Sequence, residues 1–194
     1  ATLEEEARLA LVPYLQPILQ TLLRAYACYQ AKNLHILYDA IGTLADAVGA
    51  EIARPELLQL LMPPLMERWS RLPDDHIELL PLLETLTAVA QALGLAFQPY
   101  AEPVYARCVR TIDAAVRADA AHHAATNAAA VAASEAPDKD LLVCALDLVA
   151  GVIEGLGPSS EALVARSELA TRLLYCMRDS QPDVRQSAFA GVGG

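Results

Sequence analysis

The sequence predicts an all-α solenoid, an α-α superhelix of stacked helix pairs, on three observations. Its 194 residues are 55% hydrophobic yet only 5% aromatic, a balance that favours helices packed on helices over sheets rich in aromatic and β-branched residues. One short pattern occurs three times without gaps, and every copy closes on a glycine. The first two copies lie 45 residues apart, a period typical of helical repeat proteins.

The first copy runs from Leu37 to Gly49, the second from Leu82 to Gly94 and the third from Ala145 to Gly157. Their apolar positions are Leu37, Ile41, Leu44 and Val48, then Leu82, Leu86, Val89 and Leu93, then Ala145, Val149, Val152 and Leu156. Each set has the spacing i, i+4, i+7, i+11, which is one stripe of an amphipathic helix. Gly49, Gly94 and Gly157 stand where a left-handed residue would close the helix. Asp39 and Glu84 are 45 residues apart, and Glu84 and Asp147 are 63 apart. The first interval lies in the HEAT and armadillo range of about 40–47. The fold class is therefore a HEAT-repeat α-solenoid of about four repeats, one segment over 1–194.

The longer second interval has its home in Ala118 to Ala136, a low-complexity Ala-rich stretch expected as a helix extension plus loop insertion. Partner helices lie between the copies. Leu11-Val12-Pro13-Tyr14-Leu15-Gln16-Pro17 resembles Phe97-Gln98-Pro99-Tyr100-Ala101-Glu102-Pro103, and Leu61-Met62-Pro63-Pro64-Leu65 is a looser third example. Proline in a first turn loses no helical hydrogen bond, so these are expected as bent helices that start on proline. At the end, Asp179-Ser180-Gln181-Pro182-Asp183-Val184-Arg185 has the form of a HEAT helix start. Val184 and Ala188 face inward there, and Arg185 reaches an acidic partner in the adjacent turn. Helical patterns run into both chain ends, so the solenoid is expected to be truncated at both.

Composition excludes several functions. Net charge is −10 and the pI about 4.8, which disfavours direct nucleic-acid binding and suits a basic partner. Cys28, Cys108, Cys144 and Cys176 form no Cys-x-x-Cys pair and sit in apolar helical patterns, expected as buried free thiols of a reducing compartment. The most apolar stretch, Leu141 to Ile153, is interrupted by Asp147 and falls short of the roughly 18 residues a spanning helix needs. No membrane association is expected, and no basic, apolar leader opens the chain. His35, His76, His122 and His123 share no ligand spacing with a cysteine or carboxylate. No nucleophile–base set or phosphate-binding glycine loop occurs, and Gly155-x-Gly157 reads as a helix stop. The expectation is a protein that is not an enzyme, with no cofactor and no metal. Trp69 reads as a packing residue.

Binding is better supported. In the three copies an acid stands ten positions before the terminal glycine: Asp39, Glu84 and Asp147. Seven residues on, on the same helix face, come Asp46, Gln91 and Glu154, and between them sit the small residues Thr43, Ala88 and Gly151. Stacking aligns such positions into a ribbon along the solenoid. A solvated helix face would read similarly, yet these acids stand among nearly uncharged neighbours. Small middle positions leave room for an extended chain, and each carboxylate would take an Arg guanidinium bidentately.

Longer runs carry a resemblance. Thr2-Leu3-Glu4-Glu5-Glu6-Ala7, Ile36-Leu37-Tyr38-Asp39-Ala40-Ile41-Gly42-Thr43-Leu44-Ala45-Asp46, Leu61-Met62-Pro63-Pro64-Leu65, Glu135-Ala136-Pro137-Asp138-Lys139-Asp140 and Leu163-Val164-Ala165-Arg166-Ser167 resemble the transportins. These are karyopherin-β (importin-β family) nuclear import receptors for proline–tyrosine localisation signals. The resemblance implies a middle to C-terminal segment of a longer superhelix, shuttling between cytoplasm and nucleus. Its concave face would bind the basic, arginine-bearing part of the cargo signal. Positions matching the family's contacts are Thr2, Glu5, Asp39, Thr43 and Asp46, with Glu84, Asp147 and Glu154 continuing the acidic track. Further partners it implies are nucleoporins and the Ran GTPase, the latter mostly through parts outside this chain. The alternative is a constitutive HEAT scaffold for folded partners, with the acidic stripe merely solvated.

Overall fold

The computed structural model describes residues 8–126 and 138–193, and every regular element in them is a helix. The helices wholly inside these residues are α1 (Leu15–Cys28), α2 (Leu34–Val48), α3 (Pro55–Arg71), α4 (Leu79–Leu93), α5 (Gln98–Thr126), α6 (Asp140–Leu156), α7 (Glu161–Ala165), α8 (Leu169–Cys176) and α9 (Pro182–Gly193). Short 3-10 turns link many of them.

The helices sort into two layers. The striped helices α2, α4 and α6 pack side by side, and α9 joins this layer beside α6. In the other layer α1 lies on α3 and α5 on α8, while α1 also meets α2 and α5 meets α6. Four helix pairs result, with the core running between the layers. Of the twelve predicted stripe residues, all but the half-buried Leu44 are fully buried. Burial at about 25 cal/mol per Å² makes this seam the main stabilising feature, because an isolated helix of this length is marginal in water.

Close approach within the stripe layer depends on small residues. A Cβ on Gly155 would stand 2.8 Å from the Ala90 carbonyl oxygen, and one on Gly151 would crowd Thr87 and Gln91. Gly155 is therefore a packing residue, and the stop is made by Gly157 alone. Gly49, Gly94 and Gly157 have φ of 55°, 53° and 51°, the positive φ expected of them. Their ψ values of −135°, −128° and −132° differ from the left-handed helical value. They match the first central residue of a type II′ turn, and the chain passes at once into a 3-10 turn.

Several expectations are corrected. α3 starts on Pro55, and Pro63 and Pro64 lie inside it; Pro103 likewise lies within α5. Arg185 donates to the backbone carbonyls of Asp179 (2.7 Å) and Ser180 (2.9 Å), not to a carboxylate. Cys108 and Cys176 are buried, but Cys144 is half-buried and Cys28 exposed, since α1 turns that face to solvent. Trp69 is buried as expected, beneath the guanidinium of Arg107. Two stretches, Leu79–Ala124 and Asp140–Ala165, are apolar enough over an 18-residue window to cross a membrane by length and composition. That qualifies the sequence reading. Both windows are about half buried (50% and 44%) and feed the shared core, as core helices of a helical protein do.

α5 continues as helix to Thr126, so the first part of the Ala-rich stretch is helical, while 127–136 lies outside the described residues. Beyond it, Lys139 is only 6% exposed and its Nζ bridges Asp119 on α5 (2.6 Å) and Asp179 after α8 (2.7 Å). Tyr175 donates to the same Asp119 at 2.9 Å. A charge so buried is tolerated only with partners this close.

Candidate protein-binding groove

Packing α2 against α4 sets the first turns of both helices beside the loop 72–78. Between them lies a cavity of about 700 Å³. Asp39 comes from α2 and Glu84 from α4; His35, Pro81, Leu80, Lys32 and the loop residues His76 and Ile77 complete it. The two carboxylates share this space because each stands ten residues before its helix's terminal glycine, so stacking in register brings them together.

Their charges are felt. Burial, the nearby Asp39 and then Asp140 push the Glu84 carboxyl up, against the Cys144 thiol that donates to it at 3.9 Å. The Cys144 thiol is itself pushed up to about 12 by burial and by Glu84, Asp147 and Asp140. At neutral pH that thiol is protonated and a poor nucleophile. Among the described residues, Asp39, Asp46, Glu84, Asp147 and Glu154 form no ion pair with Lys or Arg.

Asp39, Thr43 and Asp46 all lie exposed on α2, while Glu84 and Glu154 are exposed on α4 and α6. Asp147 is half-buried, and Glu154 accepts a hydrogen bond from Gln91 at 3.2 Å. The ribbon thus spans three helices, but only Asp39 and Glu84 line the cavity. Thr2 and Glu5 lie outside the described residues. The small middle positions serve helix packing more than ligand access: Gly151 is buried under Thr87 and Gln91, and Ala88 faces Gly42. Only Thr43 stays open.

Sequence reasoning missed the loop wall. Pro73-Asp74-Asp75 signals a turn, but nothing local tells which side of the solenoid it flanks. Glu78, at the loop's end, also lines the cavity yet is buried and neutralised. Arg68 holds it bidentately, with Nε at 2.6 Å, and the Tyr38 hydroxyl donates to it at 2.6 Å. Burial pushes its carboxyl up, but these partners outweigh burial and hold it below its usual range. Among the described residues no group of three or more His, Cys, Asp or Glu is arranged to hold a metal ion.

No family model matches the chain. Over its whole length it is 53% identical to "Transportin-1" of Homo sapiens and 50% identical to "Transportin-1" of Oryza sativa subsp. japonica. It is 43% identical, again over the whole chain, to "Importin subunit beta-2" of Schizosaccharomyces pombe. The chain is a homologue of one segment of the transportins. It spans 21% of the length of each of these three relatives. An all-α HEAT solenoid is the fold that this kinship and the observed helix layers share.

Proposed function

We propose that the chain is the part of a nuclear import receptor that holds the basic, arginine-bearing portion of a cargo's proline–tyrosine localisation signal. The observation that carries this reading is the Asp39–Glu84 cavity. Two carboxylates face one space with no ion-pair partner, although Lys32 lines the same cavity, and burial together with the nearby Asp39 raises the Glu84 carboxyl. An arginine entering there relieves the repulsion and gains charge-assisted hydrogen bonds. Asp46, Asp147 and Glu154 extend the negative field along the inner face, with Thr43 as an open polar contact between Asp39 and Asp46. Thr2 and Glu5 are assigned to the same site by resemblance alone.

The receptor of which this is a segment would carry cargo proteins between cytoplasm and nucleus. Contacts to nucleoporins and to the Ran GTPase belong to that whole receptor, the Ran contacts mostly outside this chain. No catalytic step, cofactor, nucleic acid or membrane enters the mechanism.

Replacing Asp39 and Asp46 by Lys and titrating a basic proline–tyrosine peptide tests the assignment. The double variant loses at least about tenfold in affinity, since each charge-assisted contact contributes roughly 1.5–3 kcal/mol. Wild-type affinity falls steeply with added salt because the contacts are partly exposed. Unchanged affinity in the double variant overturns the reading.

A further inference from the structure

The loop 72–78 takes no part in the acidic ribbon, yet it builds one wall of the same cavity. Its Ile77 is 90% exposed, the most exposed large apolar side chain among the described residues. Ile77 and the neighbouring Leu80 border both the Asp39–Glu84 cavity and a second one of about 270 Å³ that includes Asp74, Asp75, Asp138 and Asp140. Pro81 continues the apolar surface on the first side. Covering so exposed an isoleucine with an apolar group would be favourable.

This loop is held from both ends. Arg107, 8% exposed, reaches from α5 to donate to the carbonyls of Trp69 and Leu72 (2.6 Å for the latter) and to Asp74 at 2.7 Å. These contacts satisfy carbonyls that the end of α3 leaves without partners. The same guanidinium lies 4.7 Å over the Trp69 ring. At the other end Glu78 is gripped by Arg68 and Tyr38, and its backbone N–H donates to His76 Nδ1 at 3.2 Å. Ile77 therefore stays in water beside the carboxylates.

We propose that Ile77, with Leu80 and Pro81, forms an apolar subsite for an aliphatic or aromatic side chain next to the cation held by Asp39 and Glu84. The ligand it selects is a basic peptide with an apolar residue flanking its arginine. This rests on the cation-binding reading above. Charge decides the occupant: carboxylates stand on both sides of Ile77 and the chain carries −10 overall, so an anionic lipid surface is repelled and a cationic peptide attracted. The cavity has room for more than one side chain.

Four labelled peptides of equal length separate the two claims by fluorescence anisotropy on the 194-residue chain: Arg with Leu two residues away, Arg with Ser, Ser with Leu, and Ser with Ser. Leu is expected to tighten the Arg peptide about fivefold, the gain from burying part of one aliphatic side chain. Ile77→Ser removes that gain and leaves the Arg-over-Ser preference intact; so exposed a position is replaced without harm to the core. Equal binding of Arg–Leu and Arg–Ser peptides by the wild type overturns the subsite while cation binding stands. A Leu gain that survives Ile77→Ser overturns it equally. Indifference to arginine removes the cation reading and the subsite with it.

Discussion

The molecule treats its charges in two opposite ways. Where loops meet the layer of α3, α5 and α8, buried ions are fully partnered: Lys139 with Asp119 and Asp179, Arg68 with Glu78, and Arg107 with Asp74 and two carbonyls. Along α2, α4 and α6, Asp39, Asp46, Glu84 and Asp147 form no ion pair with Lys or Arg among the described residues, and Glu84 is pushed up by burial and by Asp39. The first set fastens helices that the solenoid's nearest-neighbour packing would leave loosely registered. The second set leaves negative charge without a fixed counter-charge, which the proposed cationic ligand would supply. Similar side chains thus differ according to whether the fold supplies the counter-charge, and the proposed recognition rests on those for which it does not.

The sharpest way to break the contrast is to remove a counter-charge. Lys139→Met leaves the carboxylates of Asp119 and Asp179, 9% and 2% exposed, without their cation. The expected cost is about 3–5 kcal/mol, a fall in Tm of roughly 10 °C in thermal denaturation. Arg107→Ala comes next, at about 2–4 kcal/mol, because it frees two helix-end carbonyls and the loop that carries Ile77. It also erases the leucine preference of the peptide assay, since that loop is no longer held.

Acid titration sharpens the same comparison. Glu78 and Asp119 are pushed up by burial but held below their usual range by Arg68 and Lys139. A lowered folded value means that their stabilisation is present above the ordinary carboxylate range and lost as pH falls through the lowered values. Denaturant midpoints should drop below about pH 4, and Glu78→Gln should flatten that limb. Glu84 has the opposite sign: its raised value makes the ionised form a small burden on the fold, relieved as pH falls. Glu84→Gln should therefore raise Tm by about 1 °C at neutral pH, the scale of an exposed charge contact. No difference should remain well below the carboxylate range.

What was legible in the sequence was what repeats. Leu37, Leu82 and Ala145 announce their helices by period, Gly49, Gly94 and Gly157 announce their ends, and the same register carries Asp39, Glu84 and Asp147. What was not legible depends on distant partners. Lys139 and Asp179 are 40 residues apart, and Arg107 and Trp69 are 38 apart, so no local pattern joins them. Gly151 was read as clearance for a ligand because sequence does not tell which face of α6 meets α4; its Cβ space is filled by Thr87 and Gln91. Ile77 belongs to none of the repeated patterns, and only the two clamps around it give it a place.

The central claim is that the layer of α2, α4 and α6, and not the layer of α1, α3 and α5, receives the cation. A basic proline–tyrosine peptide with a photoreactive residue beside its arginine tests this when crosslinked to the chain and mapped by mass spectrometry. The claim predicts crosslinks in α2, in the first turns of α4 and in the loop 72–78, reduced by Asp39→Asn with Glu84→Gln. Crosslinks confined to α1, α3 and α5, or unchanged by that pair of substitutions, would contradict it.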